Sequence, residues 1–219
     1  MPQQPIRFAV FLDGNFLYRV SNFYKFDHPR GKRIAFNGIL PFLTRKIADT
    51  ERVEEKLVHS VESHWFKGRM TMNQLYKKYP VEQDRLRYLE SERYVDDALM
   101  FEGITQHSFP LRMNQLGEIE EKGIDVWLAN EALELTYLKK FDVVALVACD
   151  SDFVSLVRKL NGMGTKVYLI SWDMTSTNGN ETRTSQALIN ECHEYLPMHE
   201  IIDSRDSKNR DMADLLFLK

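Results

Sequence analysis

Two aspartates stand just beyond the most apolar stretch of this chain. Residues 143–148 are all hydrophobic, and Asp150 and Asp152 follow at a spacing of two. Phe153 and further apolar residues then recur at helical spacing, which predicts a buried strand running into a helix with both acids at the junction. In open α/β sheets the carboxyl ends of the strands are where ligands bind. Two carboxylates without an adjacent Lys or Arg repel each other, so the pattern indicates a hard divalent cation such as Mg²⁺, which prefers carboxylate oxygen and water.

The same combination of an apolar strand and an acid occurs at the start of the chain. The apolar residues 8–12 lead directly into Asp13, Gly14 and Asn15, and apolar residues again continue at helical spacing. Gly14 allows the backbone to turn tightly at this point. Asn15 is expected either to cap the new helix or to bind a water or a substrate oxygen. A second strand end therefore also carries an acid.

Asp125 is the fourth acid of this kind, because it opens a long amphipathic segment. The apolar stripe of this segment is predicted to consist of Val126, Ala129, Leu133 and Tyr137. An acid in the first turn of a helix is also explained by capping and by the helix dipole, worth roughly 0.5–2 kcal/mol. That purely structural explanation applies equally to Asp13 and Asp152. Four acids at element junctions of one small chain favour a shared site instead.

These acids lie in three short blocks that resemble the NYN domain, also called the LabA-like or DUF88 family, of the PIN-like nuclease superfamily. The blocks are Asp13-Gly14-Asn15, Lys122-Gly123-Ile124-Asp125 and Cys149-Asp150-Ser151-Asp152-Phe153, and the resemblance spans about residues 6–196. Many members carry Ser-Gly-Asp-Gly-Asp at the last block, where this chain has Cys149 but retains both aspartates. The segment at about residues 65–94 is longer and more charged than in a minimal member, which bears on substrate specificity.

The resemblance implies a PIN-like, Rossmann-like α/β fold with a central, mostly parallel sheet flanked by helices. It also implies a Mg²⁺- or Mn²⁺-dependent ribonuclease-like site whose cleavage leaves a 5′-phosphate. Lys122 belongs to one of the blocks, and it is expected either to contact a substrate phosphate or to be an ordinary surface residue.

Length and composition are consistent with one α/β domain. The chain has 219 residues, 43% of them hydrophobic, and a formal net charge of −3. It is long enough to bury a full core, but it lacks the basic surface that a large sequence-independent nucleic-acid footprint needs. The charge does not exclude a nuclease, because a metal neutralises the acids that bind it. There is no apolar run near the length of a membrane span. The two cysteines are far apart, which predicts a reducing, cytoplasmic location.

Strands and helices alternate along the sequence, which predicts a mostly parallel sheet flanked by helices. Besides the strand before Asp150, the predicted strands are residues 7–12, 56–66, 104–112 and 166–170. Besides the helix that begins at Asp125, the predicted helices are residues 15–25, 36–48, 83–100 and 184–196. The helix at 83–100 is expected to bury Leu86, Leu89 and Leu99. We divide the chain into a NYN/PIN-like domain at 1–202 and a tail at 203–219, which is expected to be mobile or docked through residues 215–218.

Other chemistries fit the sequence less well. None of the six histidines pairs with cysteines at zinc spacing, and there is no Gly-rich phosphate loop. Cys149 has no nearby His to activate it as a nucleophile. A haloacid-dehalogenase phosphatase needs an acid at the position of Asn15, and a receiver domain needs a Lys at the end of a late strand, where Lys166 instead begins one.

The sequence thus predicts a metal-dependent ribonuclease, a hydrolase with RNA as its partner. Asp13, Asp125, Asp150 and Asp152 are predicted to hold one or two Mg²⁺ or Mn²⁺ ions, and one of them to accept a proton from the attacking water. Asn15 would orient water or phosphate. The alternative is an RNA- or protein-binding regulatory domain with a weak or vestigial metal site. The oligomeric state stays open, and a homo-oligomer is compatible with the sequence.

Overall fold

Six parallel strands form the centre of the protein in a computed structural model that describes residues 4–114 and 118–217. The strands of this sheet are β1 (Ile6–Asp13), β2 (Val58–Arg69), β3 (Thr105–Pro110), β6 (Val143–Val147), β7 (Lys166–Ser171) and β10 (Glu194–Pro197). Two small antiparallel pairs accompany it, β4 (Arg112–Met113) with β5 (Ile119–Glu120) and β8 (Met174–Thr175) with β9 (Glu181–Thr182). The predicted mostly parallel α/β architecture is confirmed.

Nine α-helices of the described chain flank and connect these strands. They are α1 (Gly14–Phe26), α2 (Phe36–Glu51), α3 (Met72–Lys78), α4 (Glu82–Phe101), α5 (Ile124–Lys139), α6 (Val154–Gly162), α7 (Gln186–Glu191), α8 (Met198–Asp203) and α9 (Ser207–Asp214). Two short 3₁₀ helices, Glu55–Leu57 and Ser151–Phe153, precede β2 and α6. None of the described helices is both long enough and apolar enough to cross a membrane.

The strand order is β10-β7-β6-β1-β2-β3, so the direction of winding changes at β1. The chain proceeds from β1 to β2 and β3 on one side, then returns to the other side of β1 for β6, β7 and β10. A crevice opens at the carboxyl ends of the strands where such a reversal occurs, and it is the usual ligand site of an open α/β sheet. Here that point lies between β1 and β6.

Both faces of the two central strands are covered, which explains their continuous apolar sequences. Alternate residues of β1 belong to two different cores. Phe8, Val10 and Leu12 pack with α1, α2, α8 and α9. Ala9 and Phe11 pack with α5, α6 and α7 on the opposite face. All five residues of β6 are buried as well. The strands that end next to the acids are therefore firmly packed on both faces of the sheet.

Two predicted helical stripes are only partly correct, since Ala129 and Leu133 in α5 and Leu99 in α4 face the core but the other predicted residues do not. In α5 the buried residues are Ile124, Leu128, Ala132 and Thr136, whereas Val126 and Tyr137 are each 64% exposed. This helix has apolar residues on several sides, so periodicity alone does not select the face that meets the sheet. In α4 only Leu99 is buried, and Leu86 and Leu89 are exposed.

The last predicted helix is also wrong in its second half. Helix α7 ends at Glu191, and the chain continues as β10, which pairs in parallel with β7. Its N-cap, Ser185, makes no side-chain capping bond, and the Thr184 hydroxyl instead bonds Ser171 and Asp173. Pairing with the sheet edge satisfies backbone groups that an isolated helical turn would otherwise have satisfied.

The segment after residue 203 is docked, as one of the two expectations proposed. Leu216 and Phe217 are buried in the core beneath α1 and α2, and the Leu216 carbonyl accepts a hydrogen bond of 2.8 Å from Ala35 N. A Cβ on Gly38 would lie 1.7 Å from the Leu215 carbonyl oxygen, so the close approach requires glycine in α2. Leu218, which the expectation also included, lies outside the described residues. The division of the chain at residue 202 stays a prediction.

Candidate functional site

Asp13 ends β1 and at the same time caps α1. Its Oδ1 accepts hydrogen bonds of 3.0 Å from both Asn15 N and Phe16 N. These bonds satisfy two amide groups that the first turn of a helix leaves without partners. Its other oxygen, Oδ2, has no hydrogen-bond partner among the described residues. Asp13 therefore is a helix cap, as the structural explanation proposed. Only Oδ1 takes part in capping, and Oδ2 is left for other interactions.

Gly14 is required for close packing rather than for a tight turn. A Cβ at this position would lie 2.6 Å from the Phe66 carbonyl oxygen and 2.6 Å from the Trp65 ring. Its φ is not among the positive values of this chain, so the backbone does not need glycine for its conformation. The absence of a side chain lets the start of α1 lie directly against β2, and this fixes Asp13 at the sheet edge.

Asn15 is held by an acid that the sequence patterns did not single out. The predicted capping role is wrong, because Asp13 is the cap and Asn15 lies in the first turn. Its Nδ2 donates a 2.7 Å hydrogen bond to Glu121 Oε2, and Glu121 Oε1 accepts a 2.5 Å bond from Gly68 N. Glu121 thus links the start of α1 to the end of β2. The one signal available in the sequence was its position next to Lys122 in the central block.

Asp125 lies in the first turn of α5. The N-cap position belongs to Gly123, whose φ of 86° is in the left-handed region that favours glycine. Within the described chain the Asp125 carboxylate has no hydrogen bond or ion pair. Burial first, and then the charges of Asp150, Glu121 and Asp152, raise its pKa above the usual value. Asp125 therefore lies close enough to the other acids for electrostatic repulsion between them.

Asp150 and Asp152 lie at the exposed end of β6. Asp150 caps the short 3₁₀ helix, and its Oδ1 accepts bonds of 3.1 Å from Asp152 N and 3.2 Å from the Ser151 hydroxyl. The Asp152 carboxylate is exposed and has no side-chain partner in the described residues. Capping accounts for the position of Asp150 but not for the presence of Asp152.

Asp13, Glu121, Asp125, Asp150 and Asp152 together are called the acidic site below. Burial raises the pKa of Asp13 to about 6; the Phe16 amide opposes the shift, Asp125 and Glu121 add to it, and Arg19 lowers it. No Lys or Arg of residues 4–114 or 118–217 forms an ion pair with any of these five acids. Like charges in this setting favour binding of an external cation or a proton.

The four predicted aspartates do not form a ready ligand shell. No three His, Cys, Asp or Glu side chains in the described ranges are arranged to hold one metal ion directly. The donor set nevertheless fits a hydrated hard cation, because all five acids offer oxygen and Mg²⁺ usually keeps several of its waters while one or two carboxylates bind it. Asp13 and Glu121 also have structural roles, since Asp13 accepts hydrogen bonds from two backbone amides and Glu121 from one.

The remaining candidates from the sequence have mixed outcomes. Lys122 is exposed, with no hydrogen bond or ion pair to other described residues. Burial raises the pKa of Cys149 to about 11, so its thiol is not ionised near neutral pH. Phe153 is fully buried, and Trp127 packs edge-on against the rings of Phe66 and Phe109. Both aromatic residues pack in or against the core.

The acids lie at the carboxyl edge of a parallel sheet, at its topological switch point, in three blocks of sequence. The sequence model of the NYN domain family matches residues 7–201. The chain belongs to the NYN domain family. This family is part of the PIN-like nuclease superfamily, so membership indicates a nuclease-like, RNA-related function, and such nucleases typically use divalent metals.

Two further proteins resemble this NYN domain. An uncharacterized protein of Methanocaldococcus jannaschii is 29% identical over 110 residues, which cover 45% of this chain and 43% of that protein. The chain thus spans less than half the length of the curated relative that it matches. A crystal structure of a protein of unknown function from Vibrio parahaemolyticus matches with a TM-score of 0.51 and 18% identity, covering 90% of this chain and 95% of that one. At this identity the likeness concerns the fold alone.

Proposed function

We propose that this NYN domain is a metal-dependent ribonuclease that hydrolyses RNA phosphodiester bonds at the acidic site. The observation that carries the proposal is the gathering of unpaired acids at this edge of the sheet: burial first, and then neighbouring acids, raise the pKa of Asp13 and of Asp125. No Lys or Arg in the described part of the chain forms an ion pair with Asp13, Glu121 or Asp125. Acids crowded together at the ligand-binding edge of a sheet destabilise the metal-free protein, and such a cost is typical of functional sites.

Asp13, Asp125, Asp150 and Asp152 would hold one or two Mg²⁺ or Mn²⁺ ions, directly or through water. When bound, such an ion lowers the pKa of a water molecule and stabilises charge on the attacked phosphate. One of these four carboxylates would accept the proton of the attacking water.

Polar residues around the acids would position the substrate. Glu121 holds the Asn15 amide through Nδ2. The Asn15 Oδ1 has no partner among the described residues, so it is available to orient a water molecule. Lys122 is exposed beside Glu121 and would contact a phosphate as a point charge.

The second candidate is an RNA- or protein-binding regulatory domain with a weak or vestigial metal site. It is favoured by the lack, within the described ranges, of three acids in position to bind one ion directly. The two candidates differ in turnover, because only the nuclease has cleavage that EDTA removes.

The test measures initial rates of cleavage of single-stranded RNA in excess Mn²⁺ for the wild type, Asp13→Asn, Asp150→Asn and the double variant. If the acids act as one unit, Asp13→Asn alone removes most of the activity and the second substitution lowers it little further. Asp206→Asn is the matched control, because Asp206 caps α9 in the same way, with Oδ2 accepting from Asn209 N at 3.1 Å, and lies outside the acidic site. Activity that survives EDTA, or that Asp13→Asn leaves unchanged, would contradict the proposal.

A further inference from the structure

Two cations stand at the carboxyl end of β2, next to the acidic site. Lys67 and Arg69 are two residues apart in an extended strand, so their side chains leave on the same face. Gly68, between them, donates its N–H to Glu121 of the acidic site. Asp13 is in register with Phe66 on the neighbouring strand. Because adjacent strands lie roughly 5 Å apart, the end of β2 that carries both cations lies beside the strand end that carries Asp13.

Both cations form ion pairs with acids of α4. The Lys67 Nζ donates a 2.5 Å hydrogen bond to Glu92 Oε1 and lies 4.6 Å from the centre of the Tyr18 ring. Arg69 donates to Asp96 Oδ1, and its Nε is 3.7 Å from Glu92 Oε2. The side chains of Lys67 and Glu92 are only 11% and 12% exposed. These charge-assisted bonds to carboxylate oxygens have the same form as bonds to phosphate oxygens.

Helix α4 is attached to the body of the protein mainly by partly buried contacts, among them Tyr88 stacked on Tyr79 and the Asp96 carbonyl accepting from Gln106 Nε2. Of its 20 residues only Leu99, near the C-terminal end, is buried. Between α4 and helices α1 and α2 there is a mainly apolar cavity of about 480 Å³, lined among others by Leu17, Trp65 and Val95. Phe101 borders the same cavity and is 83% exposed. Leu99 and the partly buried Val95 pack this helix against the core, and the ion pairs to Lys67 and Arg69 hold it next to the acidic site.

We propose that Lys67 and Arg69 are a phosphate-binding pair for the RNA strand beside the acidic site, and that α4 covers them in the free protein. Glu92 and Asp96 take the place of two RNA phosphates, and the incompletely filled space beneath α4 lets the helix move when RNA displaces them. The choice of RNA as ligand rests on the proposed function. Covering of the two cations by α4 reduces non-specific RNA binding. RNA must break the ion pairs of Lys67 with Glu92 and of Arg69 with Asp96 before its phosphates can pair with the two cations.

The experiment measures binding of fluorescently labelled single-stranded RNA by anisotropy at several KCl concentrations, in EDTA so that metal-dependent cleavage does not occur. An opened variant, Glu92→Gln with Asp96→Asn, is expected to bind roughly threefold to tenfold more tightly than the wild type at low salt. A variant without the cations, Lys67→Met with Arg69→Met, is expected to bind more weakly. Its slope of log affinity against log salt should be smaller than that of the opened variant by about 1.4, roughly 0.7 for each lost phosphate contact on a single strand.

Asp97→Asn is the matched control, because Asp97 lies on the same helix and its pair with Arg93 is exposed. It is expected to leave affinity and slope unchanged. Instability of the opened variant would show as a melting temperature far below that of the wild type. In that case the single variant Asp96→Asn is tested instead. It disturbs the structure less, because the Arg69 side chain that pairs with Asp96 is already 32% exposed. A smaller gain in affinity is expected there.

Equal RNA affinity of Asp97→Asn and the opened variants would overturn the inference. A salt slope as large in the variant without the cations as in the opened variant would overturn it as well. Failure of the proposed nuclease is distinguishable from this result. If no variant cleaves RNA in Mn²⁺ but the affinities and slopes change as expected, the phosphate-binding pair stands and the nuclease proposal fails.

Discussion

Replacing Asp13 by asparagine should stabilise the metal-free domain at neutral pH, although Asp13 caps a helix. The substitution keeps the cap, because Asn and Asp are about equally good N-cap residues and the Asn oxygen can still accept from Asn15 N and Phe16 N. It removes the charge that burial, Asp125 and Glu121 make unfavourable. The expected gain is therefore the electrostatic penalty alone.

The size of this gain follows from the pKa of Asp13. Folding raises it from 3.8 to about 6, and one pKa unit corresponds to about 1.4 kcal/mol, so the upper bound is about 3 kcal/mol. Relaxation of the partly exposed side chain reduces this to about 1–2 kcal/mol. For a domain of this size about 1 kcal/mol shifts the melting temperature by roughly 2–4 °C, which predicts a rise of about 2–8 °C.

The gain should depend on pH with a defined sign. Between pH 3.8 and about 6 the folded wild type binds more protons at Asp13 than the unfolded chain does, so its stability falls as the pH rises through this window. Asp13→Asn does not lose stability in this way, because asparagine does not titrate. The two proteins should therefore differ most above about pH 6 and converge toward pH 3.8.

The assay is thermal unfolding in EDTA at a series of pH values, with Asp206→Asn as the control that changes another aspartate N-cap. Excess Mn²⁺ should reverse the order, because ligand that binds only the folded state stabilises the wild type more than the variant. A melting temperature of Asp13→Asn that lies several degrees below the wild type at neutral pH would refute the reasoning. It would mean that the negative charge of the cap matters more to α1 than the repulsion at the acidic site.

Two further substitutions test the supports of the site. Gly14→Ala should destabilise the fold by about 1–3 kcal/mol, measured by urea unfolding, because its Cβ would lie 2.6 Å from a backbone oxygen of β2; wild-type stability would contradict the close approach of α1 to β2. Glu121→Ala should cost about 1–3 kcal/mol in the same assay, because Gly68 N–H and the Asn15 amide lose their acceptor. If relief of repulsion outweighed this loss, the variant would instead be more stable than the wild type in EDTA.

Local sequence was sufficient to predict the strands that end at the acids. Residues 6–13 and 143–147 are apolar over nearly their whole length, and parallel strands buried on both faces have this composition. An acid directly after such a run must lie at the strand end, so Asp13, Asp150 and Asp152 were placed correctly. Their chemical role is still a prediction, because the same positions also suit helix caps.

Local sequence patterns did not predict which helix faces are buried, nor the last strand. In α5, apolar residues at Val126 and Tyr137 compete with Ile124 and Leu128 for the core, and the sheet accepts only the latter pair. The chain after α7 became a strand because the edge of β7 offers backbone partners. Both outcomes depend on surfaces formed by distant residues, so the tertiary context overrides the local preference.

The sequence by itself determined which residues are acids at strand and helix ends, because the alternation of apolar runs and polar junctions is a local property. Only the tertiary structure decided which acids act on one another and what neutralises the neighbouring cations. Glu121 reaches Asn15 across 106 positions of the chain, and α4 brings Glu92 and Asp96 to Lys67 and Arg69. Charges interact according to distance in space, and only the folded backbone sets that distance.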